Sequence, residues 1–438
     1  MPREISYKEH DFEVAVTDLV NARRGDPGDV RSVVEGIVNA VRDRGDDALF
    51  EITQRLDQHQ LDSGTIRVNS ENIAQARSTV AGDLVAALQM AADRIDAFHR
   101  NQLPKDLDYV DADGIGLGQR WRPIDAVGLY VPGGRAAYPS SLLMNAIPAR
   151  VAGVKRRVMV TPTPAGEINP LLLVAAEIAG IDEIFQIGGA QAVAALAYGT
   201  QSVPRVDKIV GPGNAYVAEA KRQVYGQVGI DSIAGPSEVL IVADGKNDPN
   251  WIAIDLLSQA EHDDLAQAIL ITDDDAFAQQ IKVCVEQWLE TLPRREIAAK
   301  AWHNHGAIIV VADLQDAPAL IDRLAPEHLQ LAMDDAADYA KQINHAGAIF
   351  IGRHTPEAVG DYVAGPNHVL PTDRTARFSS GLGTLDFMKR TTWVSCDADG
   401  LARIGPAATK IARAEGLDAH GLSIWTRLRA GADSDRQG

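Results

Sequence analysis

One segment of this chain carries two side chains that could bind the same metal ion. Asp248 and Pro249 resemble the first residues of a helix, an N-cap followed by proline. The predicted helix runs on through DLLSQAEHDD, where Gln259 and His262 lie three residues apart and so share one face. Such a pair is also typical of an ordinary solvated helix face. The spacing alone therefore leaves metal binding and simple surface exposure both open.

A glutamate and a histidine stand next to each other at Glu327 and His328, where an apolar run begins. A carboxylate beside an imidazole is suited to proton transfer near neutral pH. Further along, Asp361 is followed by AGPNHVLP, a segment broken by glycine and proline that contains His368. We expect Asp361 to add to the same site. His368 is either a further site residue or a histidine that orders this loop.

The last candidates, Glu415 and His420, occur near the end of the chain in EGLDAH. Together with the earlier groups they supply nitrogen and oxygen ligands of the kind that zinc and manganese accept. Seven other histidines lie in polar loops or in the N-terminal helical part. We expect those to be structural or solvated: His10, His59, His99, His303, His305, His345 and His354.

Two series of apolar runs alternate with stretches of helical spacing and must position these side chains. The first series lies at 127–131, 157–162, 182–189 and 207–213. The second lies at 238–244, 267–273, 306–313 and 347–352. Strand, helix and strand in regular succession predict parallel sheets with right-handed crossovers. Glycine and proline end several runs of the first series, and ligands of open α/β sheets bind at the carboxyl ends of strands.

The sequence therefore predicts an α/β protein with two Rossmann-like parallel-sheet domains and small helical segments at both ends. Helical spacing fills the chain up to about residue 105, where the helices would cover a sheet, and returns after about residue 380. The predicted parts are an N-terminal arm (1–24), a discontinuous α/β domain with the candidate metal and catalytic residues (25–129 and 237–380), a Rossmann-like domain (130–236) and a C-terminal helical tail (381–438).

The chain lacks GxGxxG, the usual dinucleotide fingerprint of such a fold. Gly211–Gly213 is followed by Tyr216 where the third glycine would stand, and Gly381–Gly383 is followed by Asp386. A dinucleotide could still bind, because exposed amides at strand ends and helix N-termini attract phosphate without the fingerprint. The same glycines suit tight turns between strands and helices equally well. Glycine spacing alone leaves nucleotide binding open.

The composition is that of a soluble globular protein. The chain has 438 residues and a formal net charge of −18, which would repel phosphate backbones and anionic lipid. Nucleic-acid and membrane partners are therefore not expected. Only two cysteines occur, Cys284 and Cys396, too few for a disulfide framework. The first residues lack the apolar core of a signal peptide, and we expect a cytoplasmic location.

Nine segments occur in a set order along the chain: VGLYVPGGRAAYPSSLLMNAIPARVAGV, IGGAQAVAALAYGT, VDKIVGPGNAYVAEAKRQV, AGPSEVLIVAD, LLSQAEHD, APEHL, GDYVAGPNHVLPT, ARFSSGLG and AEGLDAH. They lie between Val127 and His420, and several are long and rare. In sequence and in order they resemble the histidinol dehydrogenase family. The resemblance is taken to cover roughly residues 25 to 425, effectively the whole chain.

The resemblance implies a role for each candidate residue. Glu327 and His328 match the family's catalytic pair. The residues that match its zinc ligands are Gln259, His262, Asp361 and His420. The residues that match its substrate contacts are Ser237, Gln259, His262, His328, Asp361, Glu415 and His420. The residues that match its NAD contacts are Tyr130, Gln191 and Asn214.

The resemblance also implies the reaction, a four-electron oxidation of L-histidinol through L-histidinal to L-histidine in histidine biosynthesis, with two NAD used in turn. His328 would be the general base, and Glu327 would activate water. One zinc per subunit, or manganese in its place, would position the substrate. The family further implies a homodimer in which the C-terminal tail completes the partner's site. From the residues alone, a zinc hydrolase, a dehydrogenase of another amino alcohol and a non-enzymatic binding protein stay open.

Overall fold

The computed structural model describes residues 1–22, 30–133, 138–181, 183–233 and 235–434. The chain forms two compact units, Met1–Gln102 with Asp125–Phe387 and Leu103–Ile124 with Met388–Gly438. The four-part division made from the sequence stays a prediction. Its boundary between 24 and 25, like the tail from 435, lies outside the described residues. None of the helices in the described ranges combines the length and apolar character that a bilayer crossing requires.

The strands of the described residues form three sheets. They are β1 Arg3–Ser6, β2 Leu107–Val110, β3 Gly116–Pro123, β4 Ala126–Tyr130, β5 Arg156–Val160, β6 Glu183–Phe185, β7 Lys208–Val210, β8 Gly229–Ile230, β9 Glu238–Ala243, β10 Gln267–Thr272, β11 Ala307–Val310, β12 His328–Ala332, β13 Ala348–Ile351 and β14 Met388–Ser395.

The α-helices of the same residues mostly alternate with the strands. They are α1 Phe12–Asn21, α2 Val30–Arg44, α3 Asp46–Asp57, α4 Ser70–Thr79, α5 Gly82–Arg100, α6 Pro139–Ala152, α7 Pro170–Ala179, α8 Gly189–Tyr198, α9 Ala215–Val224, α10 Pro249–Ala260, α11 Asp275–Leu289, α12 Arg295–His305, α13 Ala317–Leu324, α14 Ala336–Tyr339, α15 Glu357–Tyr362, α16 Ala398–Ala414 and α17 Asp418–Ser434.

A six-stranded sheet in the first unit has the order β1-β11-β10-β9-β12-β13, and every neighbouring pair is parallel. All residues of β9 are buried because helices cover both faces of the sheet. One apolar cluster includes α10, α11 and α12, and another includes α1 and α13. The parallel sheet predicted from the second series of apolar runs is therefore confirmed.

The N-terminal strand β1 is the edge of this sheet, although the sequence analysis assigned the N-terminal region to helices. It has four residues, and Ile5 contributes to an apolar cluster. A run this short carries no usable periodicity. Its partner β11 is remote in the sequence, so local patterning could not indicate the pairing.

A five-stranded parallel sheet in the same unit has the order β6-β5-β4-β7-β8. Val34, Val38 and Val41 of α2 are buried in one apolar cluster with residues of β5 and α8. The sequence predicted that these N-terminal helices cover a sheet, and this is confirmed. With both parallel sheets present, the predicted α/β fold class is confirmed as well.

The second unit contains a three-stranded antiparallel sheet, in the order β14-β3-β2, and the helices α16 and α17. The expectation of helix from about residue 380 is wrong for Met388–Ser395, which forms β14 and pairs with β3. The segment TTWV favours a strand, but its partner lies far earlier in the chain. From Ala398 onward the described residues are mainly helical, as expected.

Candidate active site

The Glu327–His328 pair lies at the amino end of β12. His328 is the first residue of this strand and pairs with Val239 of β9 and Ala348 of β13. Glu327 precedes it, and its main-chain oxygen would lie 2.5 Å from a Cβ atom at Gly347. That distance is too short for a normal contact. Glycine at position 347 therefore allows the chain before β13 to approach Glu327 this closely.

One residue of the neighbouring strand holds both side chains of the pair. The peptide nitrogen of Glu238 donates to Oε2 of Glu327 at 2.9 Å, and Nδ1 of His328 lies 2.9 Å from the main-chain oxygen of Glu238. A carbonyl oxygen only accepts hydrogen bonds, so Nδ1 carries a proton and Nε2 of the neutral imidazole has a lone pair. This Nε2 is buried and has no hydrogen-bond partner among the described residues.

Burial determines the proton affinity of both groups. It lowers the pKa of His328 to about 4, although the charge of Asp361 acts in the opposite direction, so this imidazole is neutral near pH 7. Burial also raises the pKa of Glu327 well above its usual range, and the hydrogen bond from Glu238 opposes this rise. The pair thus consists of an uncharged imidazole and a carboxyl group that burial has made more basic.

A short acidic helix, α15, faces Nε2 of His328. Oε1 of Glu357 lies 3.7 Å from this nitrogen, and Oδ1 of Asp361 lies 3.9 Å from it. The two carboxylates are four residues apart, which places them on the same side of the helix. A Cβ atom at Gly360 would lie 2.3 Å from the ring of Phe350. Glycine at this position lets the helix lie close to the strand beside His328.

Glu357 is a residue that the sequence analysis missed. Its side chain is buried, and Oε2 has no hydrogen-bond partner in the described part of the chain. Burial raises its pKa well above the usual range, and the charges of Asp361 and Asp255 add to this rise. The signal that could have revealed it is the four-residue spacing to Asp361, which is the spacing of neighbours on one helix face.

Gln259 and His262 lie at the end of α10, but they do not share a helix face as the sequence predicted. The helix ends at Ala260. Gln259 is fully buried, and neither polar atom of its amide is hydrogen-bonded to any described residue. His262 follows the helix and is exposed. The structure brings His262 near His328 and His368, since its charge lowers the pKa of both.

His368 belongs to the same group of residues. Its Nδ1 donates to the main-chain oxygen of Asp361 at 2.9 Å, and burial lowers its pKa. Next to it, the amide of Asn367 donates to the main-chain oxygen of Met144 at 2.6 Å. His368 therefore orders the chain around Asp361 and also lies near His328. Its role in any reaction stays a prediction.

These residues meet at the amino edge of the six-stranded sheet, whereas ligands of open α/β sheets usually bind at the carboxyl edge. Ser237 directly precedes β9, and its main-chain oxygen accepts a hydrogen bond from the N–H of Gln267 at 3.0 Å. Helix α10 follows β9 and must lead back across the sheet to reach the next parallel strand. Its last turn, which carries Gln259, therefore comes to the amino edge.

The cluster fits a divalent metal ion. His328, Glu357 and Asp361 each offer a ligand atom, and these atoms lie within 4.8 Å of one another. Nitrogen and carboxylate oxygen donors in such a group suit zinc or manganese. The unbonded polar atoms of Gln259 support the fit, because buried polar groups normally have partners. Of the predicted ligands, Asp361 lies in this cluster, and the full set stays a prediction.

Tyr130, Gln191 and Asn214 lie at the carboxyl edge of the five-stranded sheet. Tyr130 ends β4, and its hydroxyl accepts the N–H of Gly189 at 3.0 Å. Burial raises the pKa of Tyr130 to about 12. Gln191 of α8 is buried, and its Oε1 has no partner within the described residues. Asn214 caps α9 with its side-chain oxygen. A buried, unpaired amide oxygen at strand ends fits a polar ligand such as a dinucleotide.

A buried ion pair fixes the loop that precedes Asn214. Gly211 has a φ of 119°; its N–H donates to Oδ2 of Asp231 at 2.7 Å, and its carbonyl accepts from Nζ of Lys221 at 3.0 Å. Lys221 and Asp231 pair with each other, with side chains 3% and 5% exposed. A Cβ atom at position 211 would lie 2.0 Å from the main-chain oxygen of Tyr130. Buried charges thus shape this loop without the GxGxxG fingerprint.

The remaining candidates, Glu415 and His420, belong to the second unit and are exposed there. Glu415 directly follows α16, and its N–H donates to the main-chain oxygen of Ile411 at 3.0 Å. His420 lies in the first turn of α17, and its N–H donates to the main-chain oxygen of Leu417 at 3.0 Å. Their assignments as substrate contact and metal ligand stay predictions.

Comparison with known proteins finds similarity along nearly the whole chain. The family model described as histidinol dehydrogenase matches residues 21–428. Histidinol dehydrogenase of Rhodospirillum rubrum is 60% identical over 98% of this chain and 100% of its own. That of Gluconobacter oxydans is 60% identical over 95% and 97%. The crystal structure of histidinol dehydrogenase from Elizabethkingia anophelis matches with a TM-score of 0.94 and 37% identity, covering 98% of each chain.

Proposed function

Because the chain belongs to the histidinol dehydrogenase family, we propose that it oxidises L-histidinol through L-histidinal to L-histidine in histidine biosynthesis. The observation that carries this proposal is the environment of His328. Its Nδ1 is fixed by Glu238, and its unprotonated Nε2 is buried beside two carboxylates. Oxidation of an alcohol needs a group that removes the hydroxyl proton, and this imidazole is placed to do so.

His328 serves as the base in both oxidations. In the first, Nε2 takes the hydroxyl proton of histidinol while a hydride leaves the adjacent carbon. In the second, it takes a hydroxyl proton from the hydrate of the aldehyde, and a second hydride leaves. NAD supplies the hydride acceptor, so two molecules of it are reduced for each histidinol. Between the steps, His328 must give up this proton before it can act as the base again.

Glu327 activates the water that converts the aldehyde to its hydrate. Its Oε2 already accepts the N–H of Glu238, which leaves Oε1 as the oxygen that would take a proton from water. Burial makes this carboxylate a stronger base than one in solvent, because the buried charge is costly. His328 is still charged from the first step, which would favour the ionised form of Glu327. As Glu327 takes a proton from water, His328 gives its own to the aldehyde oxygen, and Glu327 then releases its proton to solvent.

Zinc, one per subunit with manganese as a possible substitute, would be held by Gln259, His262, Asp361 and His420. When bound, it supplies positioning of the substrate rather than the hydride chemistry. We assign Nε2 of His328 to the base and not to the metal, because a lone pair that binds a cation cannot accept a proton. The unpaired buried amide of Gln259 supports its place as a ligand, since such a group costs about 1–3 kcal/mol.

The other assignments follow the family. Tyr130, Gln191 and Asn214 would contact NAD. The residues that would contact histidinol are Ser237, Gln259, His262, His328, Asp361, Glu415 and His420. We further propose a homodimer in which the C-terminal tail, with Glu415 and His420, completes the site of the partner subunit. The exposure of both side chains in their own compact unit supports this.

The test is NADH formation from histidinol and NAD by the purified chain, with and without a metal chelator. We expect NADH to form, to cease after chelation, and to return with zinc or manganese. L-phenylalaninol is the matched control substrate, because it is an amino alcohol without the imidazole. A chain that acts on phenylalaninol equally well would be a general amino-alcohol dehydrogenase. A zinc hydrolase would form no NADH from either alcohol.

A further inference from the structure

The interior of strand β12 carries one buried polar side chain, that of Gln330. It is 1% exposed, and its neighbours Leu329 and Leu331 are buried in an apolar cluster. Successive side chains of a strand point to opposite faces, so Gln330 lies on the same face of the sheet as His328. A buried amide costs free energy unless it finds hydrogen-bond partners. This one has two.

The amide of Gln330 connects two helices. Its Nε2 donates to Oδ2 of Asp255 in α10 at 2.7 Å, and its Oε1 accepts the N–H of Glu357, the first residue of α15, at 3.2 Å. Asp255 stands four residues before Gln259, and Glu357 stands four residues before Asp361. Each hydrogen bond thus lies about one helical turn from a proposed metal ligand. The two helices also contact each other.

We propose that Gln330 is a positioning residue of the metal site, whose amide sets Gln259 and Asp361 at a fixed separation beside His328. This inference rests on the proposed function, because it takes those ligands as given. Metal ligands must be placed to within about 0.2 Å, and groups behind them hold that placement.

An apolar residue would fill the space of Gln330 equally well, so packing alone does not explain the amide. With methionine in its place, the carboxylate of Asp255 and the N–H of Glu357 would each lose a buried partner. Such groups shift toward water or toward other partners, because leaving them unpaired costs about 1–3 kcal/mol each. A shift of either helix would move its proposed metal ligand away from the ligand on the other helix.

Three variants separate positioning from a general loss of stability. Gln330→Met keeps the size and removes both hydrogen bonds. Gln330→Glu keeps an acceptor for the N–H of Glu357 but sets a second carboxylate against Asp255. Gln330→Glu combined with Asp255→Asn reverses the direction of the first bond, since the new amide donates and the new carboxylate accepts. Leu331→Ala is the matched control, because it weakens the same strand on its opposite, apolar face.

The measurement is the zinc affinity of the full chain, after removal of metal, by competition with a chromophoric chelator. We expect Gln330→Met and Gln330→Glu to weaken zinc binding about 10- to 100-fold. The reversed pair should bind more tightly than Gln330→Glu alone. Leu331→Ala should bind like the unsubstituted chain even if its free energy of unfolding is lower. If Gln330→Met does not fold, the comparison of Gln330→Glu with the reversed pair decides.

Unchanged zinc affinity in Gln330→Met, or a reversed pair that binds no better than Gln330→Glu, would overturn the inference. NADH formation by the unsubstituted chain separates this result from the proposed function. The expected order of zinc affinities without NADH formation would reject the proposed reaction and keep the positioning role. NADH formation with zinc affinities that the substitutions do not alter would reject the positioning role and keep the proposed reaction. An unsubstituted chain that binds no zinc would overturn both the inference and the proposed metal site.

Discussion

Nδ1 of His328 lies 2.9 Å from the main-chain oxygen of Glu238, and this hydrogen bond decides which nitrogen of the imidazole can act as a base. The carbonyl can only accept, so Nδ1 is the protonated nitrogen and Nε2 carries the lone pair. The N–H of the same Glu238 holds Glu327, also at 2.9 Å. Each member of the pair has its own backbone anchor, so one can be substituted without releasing the other.

Substitutions of the pair should therefore separate the chemical steps. Glu327→Gln removes the carboxylate that activates water, so oxidation of added histidinal should fall about 100-fold and oxidation of histidinol to the aldehyde much less. His328→Asn removes the base that both oxidations need, so both should fall by about 10²- to 10⁴-fold. Single-turnover rates with histidinol and with histidinal, each with NAD, measure the two steps separately.

The control for these substitutions is His303→Asn, because His303 is a partly exposed histidine paired with Glu286. It should leave both rates unchanged. Equal losses of the two rates in Glu327→Gln and in His328→Asn would contradict the separate roles.

The sequence predicted those strands whose signal is a buried apolar run. The run EVLIVAD predicts a buried strand because it is apolar almost throughout, and β9 is that strand. The strands β1 and β14 were not predicted, since each pairs with a strand remote in the sequence. The C-terminal end of α10 was also predicted wrongly. Its pattern continues to His262, but the helix ends at Ala260.

Local sequence patterns also predicted only part of the candidate site. Glu327, His328 and Asp361 could be named from the sequence, because each occurs in a distinctive segment that resembles one family. Glu357 was missed although it stands four residues before Asp361. Gln330 could not be named from the sequence, because a glutamine in a strand is ordinary in isolation. Their importance follows from burial and from contacts across the sheet. The proton position on His328 likewise depends on a carbonyl of another strand.

Replacement of Gln191 tests the NAD assignment. Gln191→Leu removes a buried amide oxygen that has no partner among the described residues, so the free energy of unfolding should be unchanged or higher. If this amide binds NAD, KM for NAD should rise about two- to tenfold, the effect of one lost hydrogen bond. Thr53→Val is the control, because it removes another buried, unpaired group, in α3. An unchanged KM for NAD in Gln191→Leu would contradict the assignment.

The buried His99 should make stability depend on pH. Burial lowers its pKa in the folded chain, while the unfolded value is about 6.5. Above that pH both states are neutral at His99. As the pH falls below it, the unfolded chain binds a proton that the folded chain does not, so the free energy of unfolding falls. Each unit by which the pKa is lowered is worth about 1.4 kcal/mol.

Urea unfolding of the full chain between pH 7 and pH 5 measures this dependence. The fall in unfolding free energy should be shallower in His99→Leu than in the unsubstituted chain. His10→Leu, a change at an exposed histidine, should leave the slope as it is. Equal slopes for His99→Leu and the unsubstituted chain would show that His99 takes up its proton equally in both states.

Mixing two inactive variants tests the shared tail. His262→Ala and His420→Ala should each abolish activity in their own homodimers. If the tail completes the partner's site, a mixed dimer has one site with both lesions and one with neither. Random pairing makes about half of the dimers mixed, so about a quarter of the full activity should return after refolding together. No return of activity, with subunit exchange verified, would show that His420 serves its own subunit.

The stoichiometry of NADH formation shows whether this chain carries histidinol through two successive oxidations. A limiting amount of L-histidinol is consumed to completion with excess NAD, and NADH, histidinal and histidine are measured at the end point. Two successive oxidations should give about two NADH and one histidine for each histidinol, with no free histidinal. One NADH per histidinol with accumulating histidinal, or no NADH at all, would contradict it.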